Sequence, residues 1–181
     1  MAGHELTSER LRLEALREEH IDVVFEYYSD ERLWTYFPEL RPKSKSDFRK
    51  LVDHWLNPDE DSTLGELIEY WVVFLRESND PVGSIQAQIM ADGTALFTNM
   101  TYIGYHKHGY AKESAEAVIA HLRSEHAIKR VQIIIDPLNT SAVKFAESLG
   151  FKLREIRRGV DRLYGLFGDE SVYEFTWSAT K

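Results

Sequence analysis

The chain has 181 residues, 43% hydrophobic and 12% aromatic, enough to build a core of ordinary size in a single domain spanning 1–181. With 22 Lys and Arg against 30 Asp and Glu, its formal charge of -8 argues against broad contact with a phosphate backbone, so no nucleic-acid partner is expected. The absence of cysteine excludes disulfides, thiolate metal sites and a cysteine nucleophile, and no apolar run approaches the roughly 18 residues a membrane span needs.

The opening Met1-Ala-Gly-His-Glu5 lacks the basic and then apolar regions of a signal peptide, so a cytoplasmic location without a membrane partner is expected. Leu11 to Ala15 alternates apolar and polar like a half-buried strand, and Ile21, Val24, Phe25 and Tyr28 follow at helical spacing. Trp34, Tyr36, Phe37, Pro38 and Pro42 make an aromatic loop punctuated by proline. Phe48, Leu51, Val52 and Trp55 then give a second amphipathic stripe. Trp71 to Leu75, Val82 to Ile89 and Thr94 to Tyr102 read as an antiparallel meander. Its turns are Ser78 to Pro81 and Asp92-Gly93, the second supplying the positive backbone angles of a tight hairpin.

From Gly109 the period changes, and Ala111, Ala115, Val118, Ile119 and Leu122 share one helical face. Val131 to Ile135 is a nearly unbroken apolar run, as expected of a strand covered on both sides. Ala142, Val143, Phe145, Ala146 and Leu149 define a short helix, which Gly150 stops in the left-handed conformation. Lys152 to Arg158 and Val172 to Trp177 alternate as two closing strands. The order predicts an α/β (α+β) fold, a mixed sheet with helices on both faces.

The strongest chemical signal is the strand, loop and helix around His106-Lys-His-Gly-Tyr-Ala111. A helix start offers unpaired N–H groups and the positive end of the dipole, so a loop entering it closely can wrap a diphosphate. Gly109 lets the backbone approach, Ala111 keeps the first turn unobstructed, and His106, Lys107 and His108 add positive charge. Asn139, ahead of the later short helix, is suited to capping that helix or to holding a cofactor amide.

These segments resemble the GCN5-related N-acetyltransferase (GNAT) superfamily, and within it the Rim-type branch of ribosomal-protein alanine or serine acetyltransferases. The pyrophosphate motif of that family, Gln/Arg-x-x-Gly-x-Gly/Ala, is similar to His106 to Ala111 at its two small positions. Its Asn with Gly-Phe eleven residues on is matched by Asn139 and Gly150-Phe151. Leu6 to Leu13 and Trp71 to Ser84, with Asp80-Pro-Val-Gly83, look like the first strand and a hairpin of the branch. The resemblance implies a mostly antiparallel sheet of about seven strands, with the strand carrying Asn99, Met100 and Thr101 splayed from Val131 to Ile135. It also implies acetyl-CoA as acyl donor, its pantetheine in that cleft near Asn139 and its pyrophosphate on the amides of Lys107, His108, Gly109, Tyr110, Ala111 and Lys112. Phe145 is read as core or as packing near the cofactor.

The chain departs from the family at several positions. His106 replaces the usual Arg or Gln, and Lys107 a common glycine. Many relatives carry a tyrosine seven residues after the asparagine, where this chain has Ala146, and the serine frequent three residues after it is here Ala142, with Ser141 one place earlier. The expected reaction is direct attack of an amine on the thioester, the acceptor being a small molecule or a peptide N-terminus. Asp136 is the candidate general base or a turn residue, and Ser141 is the second catalytic candidate. The competing reading is an acyl-CoA-binding domain with weak or no turnover. Glu31, Glu39 and Trp34 are candidates to meet a cationic acceptor. His106 and His108 form a His-x-His pair without partners that complete a metal set, so no metal is expected. A homodimer is compatible with this reading.

Overall fold

The computed structural model describes residues 4–56, 67–161 and 167–177. Eight strands among them form one open sheet: β1 Leu6–Thr7, β2 Leu11–Ala15, β3 Leu67–Leu75, β4 Pro81–Ile89, β5 Thr94–Thr101, β6 Arg130–Ile135, β7 Lys152–Asp161 and β8 Phe167–Thr176. The order across the sheet is β1-β2-β3-β4-β5-β6-β8-β7, and every neighbouring pair is antiparallel except β5 and β6. The strand beyond the seven expected is β1, a two-residue piece held by the register Leu6↔Leu13 and Thr7↔Arg12. Among the described residues four α-helices flank the sheet: α1 Ile21–Tyr28, α2 Lys45–Leu56, α3 Tyr110–His126 and α4 Thr140–Ser148.

Strand alternation sends apolar side chains to two separate cores. Trp71 and Val73 of β3 join Ile85, Phe97 and the buried face of α3, Ala115, Val118, Ile119 and Leu122, on one side of the sheet. Tyr70, Val72 and Phe74 of the same strand meet Ile21, Val24 and Tyr28 of α1 and Phe48 and Val52 of α2 on the other. Full burial of each such side chain contributes about 1.5–3 kcal/mol, whereas an exposed ion pair such as Lys50 with Asp47 contributes at most about 1 kcal/mol. The two cores therefore set where the helices sit. Trp55 of the second stripe lies outside the described side chains.

One strand departs from expectation. The apolar run Val131 to Ile135 predicts cover on both sides, yet β6 alternates, with Val131, Ile133 and Ile135 buried and Gln132 and Ile134 only half-buried. The reason is lateral: the α1 and α2 core reaches β3 and the end of β5, while β6 lies beyond it. The Asp92-Gly93 turn also differs in detail. Gly93 alone takes a positive φ, 81°, and Met90 closes the hairpin with Thr94 around three residues. The closing hairpin is longer than the alternation indicates, and Gly159 accompanies an irregular register on β7.

Candidate active site

The site begins where β5 leaves β6. Their parallel pairing is confined to Thr94↔Arg130, Ala95↔Val131 and Leu96↔Gln132, after which β5 continues only against β4. The remainder of β5 thus opens away from β6, as the resemblance implies. Gly83 fits that divergence, since a Cβ there would stand 2.5 Å from the carbonyl oxygen of Met100. A side chain at 83 would push β4 from β5.

Beyond Thr101 the chain turns sharply before entering α3. The Tyr105 N–H donates to the Tyr102 carbonyl at 3.0 Å, and the His106 Nε2 donates to the Thr101 carbonyl at 2.8 Å, which requires the proton on that nitrogen. Lys107 takes φ 66° and Gly109 φ 84°, both left-handed. Such a conformation costs an L-residue about 1–2 kcal/mol, which explains why a glycine is common at the position Lys107 holds in the family.

The start of α3 has no side-chain cap, and its first intrahelical bond runs from the Glu113 N–H to the Gly109 carbonyl at 3.1 Å. The N–H groups of Tyr110, Ala111 and Lys112 are therefore left for a ligand. The start of α4 contrasts with it. There the Asn139 Oδ1 accepts the Ala142 N–H at 3.1 Å, while the helix ends with Gly150 at φ 86° and the Phe151 N–H donating to the Ala146 carbonyl. The capping role of Asn139 is real, and it leaves the Nδ2 donors.

Both helix starts open on one cleft of about 350 Å³. Its walls are Asn99 and Thr101 from β5, Tyr105, His106, Lys107 and Gly109 from the turn, Tyr110 and Ala111 from α3, and Asn139, Ser141, Ala142 and Phe145 from α4. Met100 lines a narrower recess beside it with Ser114 and packs against the α1 and α2 core. Neither His108 nor Lys112 lines the cleft. The His108 ring stacks on Tyr110 at 5.5 Å, and the Lys112 Nζ lies 3.9 Å from Glu116.

Asp136 is not among the cleft residues. It is buried at the end of β6, where its Oδ1 accepts the Leu138 N–H at 2.8 Å, and its carbonyl accepts the Asn139 N–H. The turn reading of that carboxylate accounts for these bonds. Ala146, at the position where many relatives carry tyrosine, is fully buried in the α3 core. Trp34 is core as well, with its Nε1 donating to the Tyr28 carbonyl at 2.8 Å. Glu31 is 3.6 Å from Arg41, and Glu39 lies outside the described side chains.

Two contributors carry no motif and are found only in three dimensions. Arg10, in the turn before β2, donates to the His108 carbonyl at 3.1 Å and to Glu113, and its guanidinium lies 4.8 Å over the Tyr110 ring. Burial opposes ionisation of Glu113, but bonds from the Arg10 amide, the Ser8 hydroxyl and the Arg10 guanidinium prevail and hold its carboxyl below the usual range. The pair latches the cradle loop to the first strands. Tyr105 is the other. The pKa of Tyr27, whose ring stacks on Tyr102 at 4.4 Å, is pushed up to about 12 by burial and by its bond with Tyr105.

An uncapped helix start facing a split between two parallel strands defines an acyl-carrier-binding fold, and the chain belongs to the GNAT acetyltransferases: the family described as "Acetyltransferase (GNAT) domain" matches residues 10–152. It is an N-acetyltransferase. The SPbeta prophage-derived uncharacterized N-acetyltransferase YokL of Bacillus subtilis is 26% identical over 147 residues, 80% of this chain and 77% of that protein. RimL, a ribosomal L7/L12 alpha-N-protein acetyltransferase in complex with coenzyme A, superposes with a TM-score of 0.77 at 17% identity, covering 96% of this chain and 98% of its own. A spermidine N-acetyltransferase from Vibrio cholerae, in complex with coenzyme A and spermine, gives 0.77 at 14% identity, covering 93% and 96%.

Proposed function

We propose that the chain binds acetyl-CoA in this cleft and transfers its acetyl group to a primary amine that reaches the site uncharged, a peptide N-terminus being the favoured acceptor. The observation that carries the reading is the open first turn of α3 at the mouth of the cleft. The amides of Tyr110, Ala111 and Lys112 would receive the diphosphate, with Lys107 adding positive charge and His106 holding the turn beside them. The Asn139 Nδ2 and the edge of β5 that β6 leaves open at Asn99 to Thr101, where His106 already holds the Thr101 carbonyl, would receive the amide groups of the pantetheine arm. The sheet runs from Leu6 to Thr176 in one piece, which supports reading residues 1–181 as one acyltransferase domain.

The choice of acceptor rests on what the cleft omits. Among its described residues there is no carboxylate to take a proton from an ammonium. An N-terminal amine, with a reference pKa near 7.7, is substantially neutral at pH 7.5. A lysine or polyamine amine near 10.4 has a neutral fraction smaller by on the order of 10²–10³-fold, equivalent to about 3.5 kcal/mol. The N-terminal amine therefore needs the least help. In the reaction its nitrogen lone pair bonds to the thioester carbonyl carbon, the carbon–sulfur bond breaks, and the amine proton leaves to water or through the Ser141 hydroxyl. A thiol of reference pKa about 8.5 departs as thiolate without strong acid assistance, which is compatible with alanine at 146.

Thermal unfolding with acetyl-CoA, followed by thiol release with short peptides and with spermidine, tests the proposal. A ligand at about 100 times its dissociation constant adds roughly 2.7 kcal/mol of stability, readily seen as a rise in Tm. The expected result is such a rise, with peptides carrying a free N-terminus turned over faster than spermidine at pH 7.5. No shift with acetyl-CoA would overturn the site; preference for spermidine would overturn the acceptor.

A further inference from the structure

A second constellation lies at the opposite end of α3 from the cleft. Glu69 of β3 is buried at 8% exposure, and its carboxylate is met by imidazoles from two directions: the His121 Nε2 stands 3.1 Å from one oxygen and the His126 Nε2 3.2 Å from the other. The His4 ring comes from the chain segment before β1 and lies 5.6 Å from that of His121. It is fixed there because the Trp71 Nε1 donates to the His4 carbonyl at 2.9 Å. One ligand atom each from His4, Glu69 and His121 lie within 4.8 Å of one another.

A buried carboxylate requires a cationic partner, because removing it from water costs several kcal/mol. Among the described residues no lysine or arginine forms an ion pair with Glu69; imidazoles alone do. An imidazole is a cation when protonated and a metal ligand when neutral. Three features favour the second role. The His121 Nε2 and the Glu69 oxygen stand 3.1 Å apart, close to the roughly 3.3 Å between neighbouring ligand atoms of a tetrahedral zinc site with bonds of about 2.0 Å, and a His4 ring nitrogen lies within 4.8 Å of both. The His126 Nε2, buried, faces the other carboxylate oxygen at 3.2 Å without the alignment of a hydrogen bond. The His4 ring, exposed and at the edge of the cluster, leaves a side open for water as a further ligand.

We propose that His4, Glu69 and His121 bind a divalent transition-metal ion of the zinc type, with His126 holding the second carboxylate oxygen. The ion ties the segment before β1 to β3 and to the last turns of α3. The eleven steps from Tyr110 to His121 rise about 17 Å along the helix, so the role is one of structure, apart from acyl transfer.

The whole chain, stripped with a chelator and titrated with cobalt(II), gives the test. The expected result is a visible absorption band saturating at one equivalent and displaced by zinc. His4→Ala and His121→Ala should each weaken binding at least about 100-fold, and His126→Ala about 10–100-fold. His4 is exposed, so its variant keeps the test valid if a change at Glu69 or His121 prevents folding. Absence of a stoichiometric band in the unmodified protein overturns the proposal, as does a band kept by both His4→Ala and His121→Ala. A band lost only from the double variant His106→Ala, His108→Ala would place the ion on the cradle loop and overturn it equally. None of these readings depends on whether acetyl-CoA binds, so the two proposals fail separately.

Discussion

Two helices begin on the same cleft, and they treat their first-turn amides in opposite ways. At α4 a side chain closes the end, the Asn139 Oδ1 accepting the Ala142 N–H. At α3 the corresponding place is Gly109, which has no side chain to offer. A third beginning, the turn before α1, is closed from within: the His20 Nδ1 accepts the Arg17 N–H at 3.1 Å. Of these three beginnings two are closed by side chains, and the open one is where the diphosphate is proposed to bind. The open end is kept in position from outside, by Arg10 and Glu113, without consuming its donors.

The sharpest way to break the contrast is to close the open end with charge. Gly109→Asp puts a carboxylate where the diphosphate would sit. Like-charge juxtaposition costs several kcal/mol, so affinity for acetyl-CoA should fall by about 100-fold or more in calorimetric titration. The converse change opens the closed end. Asn139→Ala should lower unfolding stability by about 1 kcal/mol in urea, the usual worth of such a cap. Asn139→Asp retains the acceptor and the stability yet loses the Nδ2 donors, so weaker cofactor binding at unchanged stability would separate the two roles of one side chain.

A gentler test follows pH at the third beginning. Burial, and next the neighbouring Arg17 guanidinium, hold the His20 imidazole below its ordinary value of 6.5. The Glu19 carboxylate opposes them without reversing the shift. The unfolded chain therefore takes up the proton first. Stability is complete above about pH 6.5 and declines as pH falls from there towards the folded-state pKa. His20→Gln should flatten that segment of a pH series of denaturation midpoints. The smallest effect is expected at Lys107→Gly: removing left-handed strain gains about 1 kcal/mol, while the freer unfolded chain returns about 0.4–1 kcal/mol. The net change should stay within about 0.5 kcal/mol.

Elements with strong periodicity are legible in the sequence. Leu11 to Ala15 is a strand at those bounds, and the stripe Ala115, Val118, Ile119, Leu122 faces the core as its spacing requires. The cradle is less legible, because a glycine between a strand and a helix is more often a plain connector, and only the Asn139 and Gly150-Phe151 spacing beside it points to a diphosphate. Burial on the second face of β6 is not legible, since an apolar run says what a strand tolerates and nothing of how far a neighbouring helix layer extends. Asp136 shows the same limit at the site: a carboxylate before proline suits a base or a turn, and only the position of the Leu138 N–H decides which bond it makes. Arg10 and Glu113 stand 103 positions apart, and nothing local in either segment announces that they meet. The imidazoles around Glu69 are likewise gathered from two distant segments of the chain.

The short pairing of β5 with β6 bears on how such a sheet behaves when empty. From Phe97 onward β5 presents a row of backbone donors and acceptors that β6 does not take up, an interior seam instead of an outer border. A slender molecule bearing amides of its own can knit that seam, so the substrate would serve for a time as a ninth strand. Amide hydrogens of Asn99 and Thr101, which alternate away from β4, should then exchange slowly while the donor is bound and quickly once it leaves, with the strands on either side little changed.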